Sequence, residues 1–315
     1  MKFLYGIRYA YVDVTDKVAK HCVDNGKIVL PRTDPDRAKI FGDHLPGILK
    51  HMKILDPTGN IIVAAGVAYE SSMQDVVLDT SPWVKDETEC IRHWYKTEGH
   101  LIADPTKRLQ QIHNHLVLLH GNKADEYQEQ EMAVRFIKPE SVVLEIGANI
   151  GRNTCVIATI LQDDSNLVTL ETMPDSVKKL EDNRALNGFR FHIEPSALSK
   201  RSLIQKDWCT EVSEVVKEGF VKVNTITWTQ LVQKYPLPFD TLVADCEGAL
   251  TYILRDEPDM LLPFKTVILE NDYGRLEDYQ TVHNILKLYG FEIAYSAGNG
   301  WGPCQNFFYQ VFVKP

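Results

Sequence analysis

The sequence predicts an α/β fold built on a mostly parallel sheet. Strand-like and helix-like segments alternate from residue 139 to the end of the chain, a glycine-rich turn joins the first of these strands to its helix, and acidic residues follow several of the strands. Strands that alternate with helices form parallel βαβ units. The last two strand-like segments, within 291–315, are joined by a short loop, and we therefore expect them to be antiparallel.

Residues 1–80 are predicted to form a small β-rich domain. Aromatic and β-branched residues dominate the segment KFLYGIRYAYVDVT, and a proline stops the short strand KIVLP. Two apolar arms flank DPTGN at 56–60, which has the proline and glycine of a turn and so predicts a hairpin. No motif in residues 1–80 indicates a particular chemical activity. Holding a glycan, mediating dimerisation and capping the next region all stay open as roles.

Residues 81–138 are predicted to be a helical bridge into a third region, 139–315, that carries the alternating pattern. Ser81 and Pro82 are typical of a helix start, and apolar residues recur at helical spacing within 109–119. The expected division of the chain is therefore 1–80, 81–138 and 139–315.

The composition narrows the class of protein. The chain has 315 residues and a formal net charge of −9, which argues against nucleic acid or an anionic membrane as a broad partner. Charged residues interrupt the N-terminal segment, and no apolar run is long enough to span a bilayer. The six cysteines stand singly, without a CxxC pair, so structural zinc is disfavoured. We expect a cytoplasmic protein with reduced thiols.

The turn VVLEIGANIGRNT places Gly147 and Gly151 between a strand and a helix. Open α/β sheets bind ligands at this edge, and glycine lets backbone and ligand approach closely. The spacing G-x-x-x-G differs from that of dinucleotide-binding folds, and no Gly-Lys-Ser/Thr follows as in a P-loop, so a pyrophosphate ligand is disfavoured. Glu171 ends the next strand, where an acid accepts hydrogen bonds from ribose hydroxyls. A nucleoside-containing cofactor follows from the two features together.

Several sequence segments match those of a known family, in the same order along the chain. They are EQEMAVRF with Glu131, LEIGANIG, LETMPDSVKKLEDNRALNG, SALS, NTITWTQL, DCEGAL and VILEN. LEIGANIG resembles motif I of class I S-adenosylmethionine-dependent methyltransferases, and the whole series resembles the FkbM family of O-methyltransferases over about residues 125–313. Two departures from that family's pattern are Glu145 in place of an aspartate and Cys246 in place of a valine.

The resemblance implies a Rossmann-like sheet of seven strands, mostly parallel with the last strand antiparallel, that binds S-adenosylmethionine. It implies an enzyme that methylates a hydroxyl of a sugar, a glycan or a similar polyhydroxylated acceptor, with a homodimer as an open option. The cofactor-binding residues that it implies are Glu145, Gly147, Asn149, Gly151, Glu171, Met173, Ser196, Ala197 and Asp245.

A hydroxyl acceptor needs a base, or a metal that lowers its pKa. Asp245 and Glu270 end neighbouring strands and are the candidate catalytic acids. The arrangement also resembles the metal site of catechol O-methyltransferase, which implies a Mg²⁺ site made of Asp245, Glu270 and Asn271. Glu247 is either a second acid of the cleft or the acid of a helix start, and Trp301 is either a wall of the acceptor pocket or a packing residue.

Two alternatives to a methyltransferase belong to other classes of function. A non-catalytic binding or scaffold module with the same fold is the main alternative, and the strand-end acids argue against it. A NAD-dependent enzyme is disfavoured by the glycine spacing. His113, His115, His120 and His192 are expected to be surface or packing residues.

Overall fold

The computed structural model describes residues 2–7, 10–24, 27–28, 30–31, 34–46, 50–55, 61–63, 95, 99–207 and 209–315. The chain divides into two compact units, 1–94 with 185–188, and 95–184 with 189–315. The second unit includes the helices between 99 and 138 together with the sheet that follows them.

The described residues of the first unit form six strands and two helices, and their largest sheet has the order β2-β1-β5-β6. In this sheet β1 pairs antiparallel with β2 and with β5. β3 and β4 pair antiparallel in a separate two-stranded sheet. The elements are β1 (Lys2–Ile7), β2 (Ala10–Asp13), α1 (Thr15–His21), β3 (Val23–Asp24), β4 (Lys27–Ile28), α2 (Asp34–Phe41), β5 (His51–Leu55) and β6 (Ile61–Val63). Its core consists of Phe3, Tyr5, Val14, Val18, Cys22, Leu30, Phe41 and Met52.

The hairpin prediction for this unit is confirmed at its strands. β5 and β6 pair antiparallel, with Ile54 opposite Val63. The turn at 56–60 and the helix start at Ser81–Pro82 lie outside the described residues.

Two helices lead into the main sheet of the second unit. They are α3 (Pro105–His115) and α4 (Tyr127–Phe136). Asp104 caps α3, because its carboxylate accepts from the backbone N–H groups of Thr106 and Lys107. Helix α4 begins after Glu126, whose φ of 60° is rare for a residue with a side chain.

The main sheet has seven strands in the order β17-β18-β16-β15-β7-β8-β9. β18 is the one strand of this sheet that runs opposite to the other six, so the predicted fold class is confirmed. The strands are β7 (Val143–Ile146), β8 (Leu167–Leu170), β9 (His192–Glu194), β15 (Thr241–Ala244), β16 (Thr266–Glu270), β17 (Glu292–Ala297) and β18 (Tyr309–Val313). The four central strands are apolar and buried on both faces, as parallel strands covered by helices require.

Helices follow the parallel strands, and two small sheets lie between β9 and β15. The helices are α5 (Arg152–Ile160), α6 (Pro174–Asn187), α7 (Trp228–Lys234), α8 (Leu250–Asp256) and α9 (Leu276–Leu288). The small sheets comprise β10 (Ala197–Leu198) with β14 (Thr225–Ile226), and β11 (Leu203–Lys206) with β12 (Cys209–Val212) and β13 (Val221–Val223). In the described part of the chain, no helix has the length and apolar character needed to cross a membrane.

Candidate active site

A cavity of about 520 Å³ opens at the carboxyl ends of β7, β8, β15 and β16. This is the edge at which open α/β sheets bind ligands. Seven acidic side chains line it, and among the described residues Arg152 is the only basic one. The acids are Asp125, Glu126, Glu129, Glu171, Asp245, Glu247 and Glu270.

The turn after β7 requires glycine at two positions for two different reasons. Gly147 has a φ of +95°, and a Cβ there would lie 1.6 Å from the backbone oxygen of Asp245. Gly151 has a φ of +89°, and its Cβ would lie 2.4 Å from Cδ1 of Leu180 in α6. Gly147 lines the cavity, whereas Gly151 lies against that helix and outside the lining. Its role in cofactor binding therefore stays a prediction.

Glu171 lies at the end of β8 with its carboxylate held by backbone donors. One oxygen accepts from the N–H of Asn149 at 2.8 Å, and the other accepts from those of Thr172 and Met173, each at 2.8 Å. Burial raises the pKa of Glu171, and the three amides oppose that rise. The carboxylate is a fixed hydrogen-bond acceptor at the cavity wall. Asn149 also lines the cavity, with a φ of +49°.

Met173, Ser196 and Ala197 line the same end of the cavity. The Ser196 hydroxyl donates to Oε1 of Glu194 at 2.8 Å, and this bond fixes its orientation. The structure thus brings these three predicted cofactor-binding residues together with Gly147, Asn149 and Glu171.

Glu145 is a residue of β7 and lies outside the cavity lining, with its side chain in contact with residues of α5 and β8. Its carboxyl accepts from the hydroxyls of Thr154 at 2.6 Å and Thr169 at 2.7 Å. Complete burial raises its pKa to about 7 against the effect of these donors. The contacts assign Glu145 a supporting position behind the glycine turn, and its predicted contact with a cofactor is not tested by them.

Three carboxyls meet at the other end of the cavity. They belong to Glu129 of α4, Asp245 after β15 and Glu270 of β16, and one oxygen from each lies within 4.8 Å of the others. The carboxyls of Glu129 and Glu270 are hydrogen-bonded to each other. Burial, followed by the hydrogen bond and the charges of the neighbouring acids, raises the pKa of Glu129, and burial followed by neighbouring charge raises that of Asp245. We call Glu129, Asp245 and Glu270 the acid cluster.

Asn271 does not lie beside the acid cluster in the cavity lining. Successive side chains of a strand point to opposite faces, so Asn271 points away from the side on which Glu270 lies. It is fully buried, and its Nδ2 donates to the backbone oxygen of Phe307 at 2.8 Å and to Oε1 of Gln310 at 3.0 Å. Glu129 is the third residue that groups with Asp245 and Glu270, where the sequence predicted Asn271.

Sequence reasoning missed Glu129, and it named Glu131 of the same helix only as part of a segment that carries the family resemblance. Glu131 lies on the other side of α4, where it accepts from the Thr106 hydroxyl at 2.7 Å. Glu126, just before α4, and Glu129, in the first turn of α4, both line the cavity. Because Glu126 lies outside the helix, no helical spacing in the sequence singles out Glu129.

Glu247 and Trp301 also line the cavity. Glu247 has a φ of +49° and precedes α8, which begins at Leu250, by three residues. Burial raises its pKa to about 8, with a further contribution from its hydrogen bond to Asp272. Three non-glycine residues with positive φ, namely Glu126, Asn149 and Glu247, line one cavity, and such conformations cluster at functional sites.

The predicted packing histidines have partners away from the cavity. Nε2 of His113 lies 2.5 Å from Oε1 of Gln130, and Nε2 of His120 lies 2.9 Å from Oδ2 of Asp182. His192 packs against the Tyr235 ring at 5.3 Å. The side chain of His115 lies outside the described residues.

No protein-family model and no curated protein matches this chain. Its fold is similar to that of a ribosomal protein L11 methylase from Lactobacillus delbrueckii subsp. bulgaricus, with 14% identity and a TM-score of 0.41 over 62% of this chain and 81% of that one. It is also similar to a precorrin-6y C5,15-methyltransferase from Geobacter metallireducens, with 12% identity and a TM-score of 0.37 over 64% and 96% of the two chains. A third similar structure is an rRNA methylase from Streptococcus thermophilus, with 9% identity and a TM-score of 0.36 over 62% and 97%.

Proposed function

We propose that the chain is an S-adenosylmethionine-dependent O-methyltransferase of FkbM type, acting on a hydroxyl of a sugar, glycan or similar polyhydroxylated acceptor. One observation carries the proposal: a single cavity holds a fixed carboxylate acceptor, Glu171, at one end and a cluster of mutually facing acids at the other. The order of sequence motifs from Glu131 to VILEN supports the family assignment.

The charge of the cavity favours a cationic cofactor. Seven acids face one arginine among the described lining residues, and that arginine is paired with Glu126 at 2.5 Å. A pyrophosphate would meet repulsion here, whereas a sulfonium and an ammonium would meet attraction. S-adenosylmethionine, when bound, would supply a methyl group already activated on sulfur. Glu171 would accept from the ribose hydroxyls, and Met173 would pack on the adenine.

The acid cluster is suited to remove the proton of an acceptor hydroxyl. Asp245 and Glu270 line the cavity, and a positioned base contributes about 10²–10⁴ in rate to such a transfer. A carboxyl with a raised pKa is a stronger base once it is ionised. If Mg²⁺ takes part, Glu129, Asp245 and Glu270 offer the hard oxygen ligands that it prefers, and it would lower the pKa of the hydroxyl.

Isothermal titration with S-adenosylhomocysteine tests the cofactor assignment. We expect binding at tens of micromolar or tighter, and no binding in that range would overturn it. Transfer of a labelled methyl group to polyhydroxylated acceptors, followed by mass spectrometry of the products, tests the reaction. Glu270→Gln should abolish most transfer while cofactor binding persists, whereas Asp245→Asn should abolish transfer and weaken cofactor binding as well if Asp245 contacts the cofactor. Binding without transfer to any acceptor would favour the non-catalytic module.

The metal requirement has a separate test. Activity measured with and without EDTA, followed by readdition of Mg²⁺, distinguishes the two chemistries. Loss with EDTA and recovery with Mg²⁺ would support a metal held by the acid cluster. Unchanged activity would support a carboxylate base acting alone.

A further inference from the structure

Trp301 is exposed over 57% of its surface, yet its ring is held from two directions. The indole Nε1–H donates to Oδ1 of Asp272 at 2.9 Å, and the ring centroid lies 4.5 Å from that of Phe308. Gly300 permits this packing, because a Cβ there would lie 1.9 Å from Cγ of Phe308. In the described part of the chain, Trp301 is the one aromatic residue among the exposed large hydrophobic side chains. An aromatic ring that is both fixed and exposed at a cavity wall is suited to contact a ligand.

The polar groups next to Trp301 are carboxyls. Glu247 lines the same cavity, and its carboxyl, whose pKa burial raises to about 8, hydrogen-bonds to that of Asp272, so the pair shares a proton and carries one negative charge near neutral pH. Arg152, the basic residue of the described lining, already pairs with Asp125 and Glu126 at the start of α4. No described cation of the lining therefore balances the negative charge around Trp301.

This combination selects ligands by charge. The face of a tryptophan ring attracts cations, and carboxylates accept strong hydrogen bonds from ammonium groups. An anion would be repelled, and a neutral hydroxyl compound would gain neither interaction.

We propose that Trp301, Asp272 and Glu247 form an acceptor subsite for a protonated amine, so that the preferred acceptor is an amine-bearing polyhydroxylated compound. Glu247 is exposed, whereas Asp245 and Glu270 are only partly accessible. An ammonium docked at the subsite leaves the acceptor's hydroxyls to reach the more buried acids. The link to hydroxyl methylation rests on the proposed function, whereas the selection by charge does not.

One sugar scaffold with different charges provides the test. The full chain, labelled with 5-fluorotryptophan, gives resonances from five tryptophans, and Trp301→Phe assigns that of Trp301. The protein is titrated with glucosamine at a pH where its amine is charged, and with glucose, N-acetylglucosamine and glucuronate, each with and without S-adenosylhomocysteine. We expect a saturable shift of the Trp301 resonance with glucosamine at concentrations about tenfold lower than with the neutral sugars, and none with glucuronate.

Variants test the three side chains by ligand-observed NMR. Asp272→Asn keeps an acceptor for the indole N–H but removes the charge, and should weaken glucosamine binding about tenfold without changing that of glucose. Trp301→Ala should weaken it by a similar factor, whereas Trp301→Phe should retain part of it. Glu277→Gln removes an exposed acid of α9 outside the cavity lining and serves as the matched control.

Equal affinity for glucosamine and glucose, no response to any of the four sugars, or an unchanged affinity in Asp272→Asn would each overturn the subsite. Failure of the proposed function would look different. In that case S-adenosylhomocysteine would not bind in isothermal titration, while the preference for glucosamine would persist.

Discussion

The two ends of the cavity both carry partly or fully buried carboxyls, but different groups surround them. At one end, Glu171 accepts hydrogen bonds from three backbone amides. At the other end, Glu129, Asp245 and Glu270 face one another, and their nearest polar neighbours include further acids. Backbone amides stabilise a carboxylate in its charged form, whereas neighbouring acids favour the protonated form.

The difference indicates two separate tasks for one residue type. A carboxylate held by three amides is fixed in position and offers acceptor oxygens, which suits the recognition of hydroxyl donors. Carboxyls that share protons are suited to receive one more from a substrate. The comparison therefore predicts that the same conservative change, acid to amide, has opposite effects on stability at the two ends.

The largest effect is expected from Gly147→Ala, which disturbs both ends at once. The new Cβ would lie 1.6 Å from the backbone oxygen of Asp245, and the φ of +95° is itself unfavourable. We expect a loss of about 4 kcal/mol or more in the free energy of unfolding, measured by urea denaturation. Gly290→Ala is the control, since its φ is +84° but nothing lies within 4 Å of a Cβ there. It should cost only about 1–2 kcal/mol, and equal losses would contradict the steric argument.

The next effect concerns Glu171→Ala. The change removes the acceptor of three amides and the proposed acceptor of the ribose, so the affinity for S-adenosylhomocysteine should fall about 100-fold in isothermal titration. Glu131→Ala is the matched control, because Glu131 lies outside the cavity lining and contacts Thr106. An unchanged affinity of Glu171→Ala would remove Glu171 from the cofactor site.

Much of this arrangement was predictable from the sequence because it depends on local patterns. Alternating strands and helices gave the sheet, and the turn around Gly147 and the acid at Glu171 gave the cofactor end. The acid cluster was only partly predictable, since Glu129 comes from a helix that precedes the sheet and meets Asp245 only through packing. Asn271 follows Glu270 directly, and the alternation of side chains along a strand turns it to the opposite side, toward Phe307 and Gln310. No sequence pattern indicated that Asp272 would hold the Trp301 indole.

Glu145 tests whether side-chain donors alone keep a buried carboxyl charged. Its pKa is raised from 4.5 to about 7, so its stabilising contribution is complete below about pH 4.5 and is lost as the pH rises through about 7. Glu145→Gln should remove this dependence and make the protein more stable than wild type at pH 8, by up to about 3 kcal/mol. Thermal or urea unfolding across pH 4.5–8 provides the measurement. A parallel loss of stability in both proteins would show that Glu145 is not the source.

The smallest effect, and the sharpest test of the comparison, is the sign of the change in Glu129→Gln. The amide keeps a donor for Glu270 and removes one titrating group from the acid cluster. The pKa of Glu129 is raised in the folded chain, so ionising this carboxyl lowers the free energy of unfolding. That cost is absent at pH 4 and grows as the pH rises. We expect the variant to be more stable than wild type at pH 8 by on the order of 1 kcal/mol, with little difference at pH 4. Burial also raises the pKa of Glu171, so its ionisation too costs stability at pH 8. Glu171→Gln should nevertheless destabilise there, because an amide offers one acceptor oxygen where the carboxylate served three N–H groups. Urea denaturation of both variants at the two pH values gives the signs, and the same sign for both would remove the distinction between the two ends.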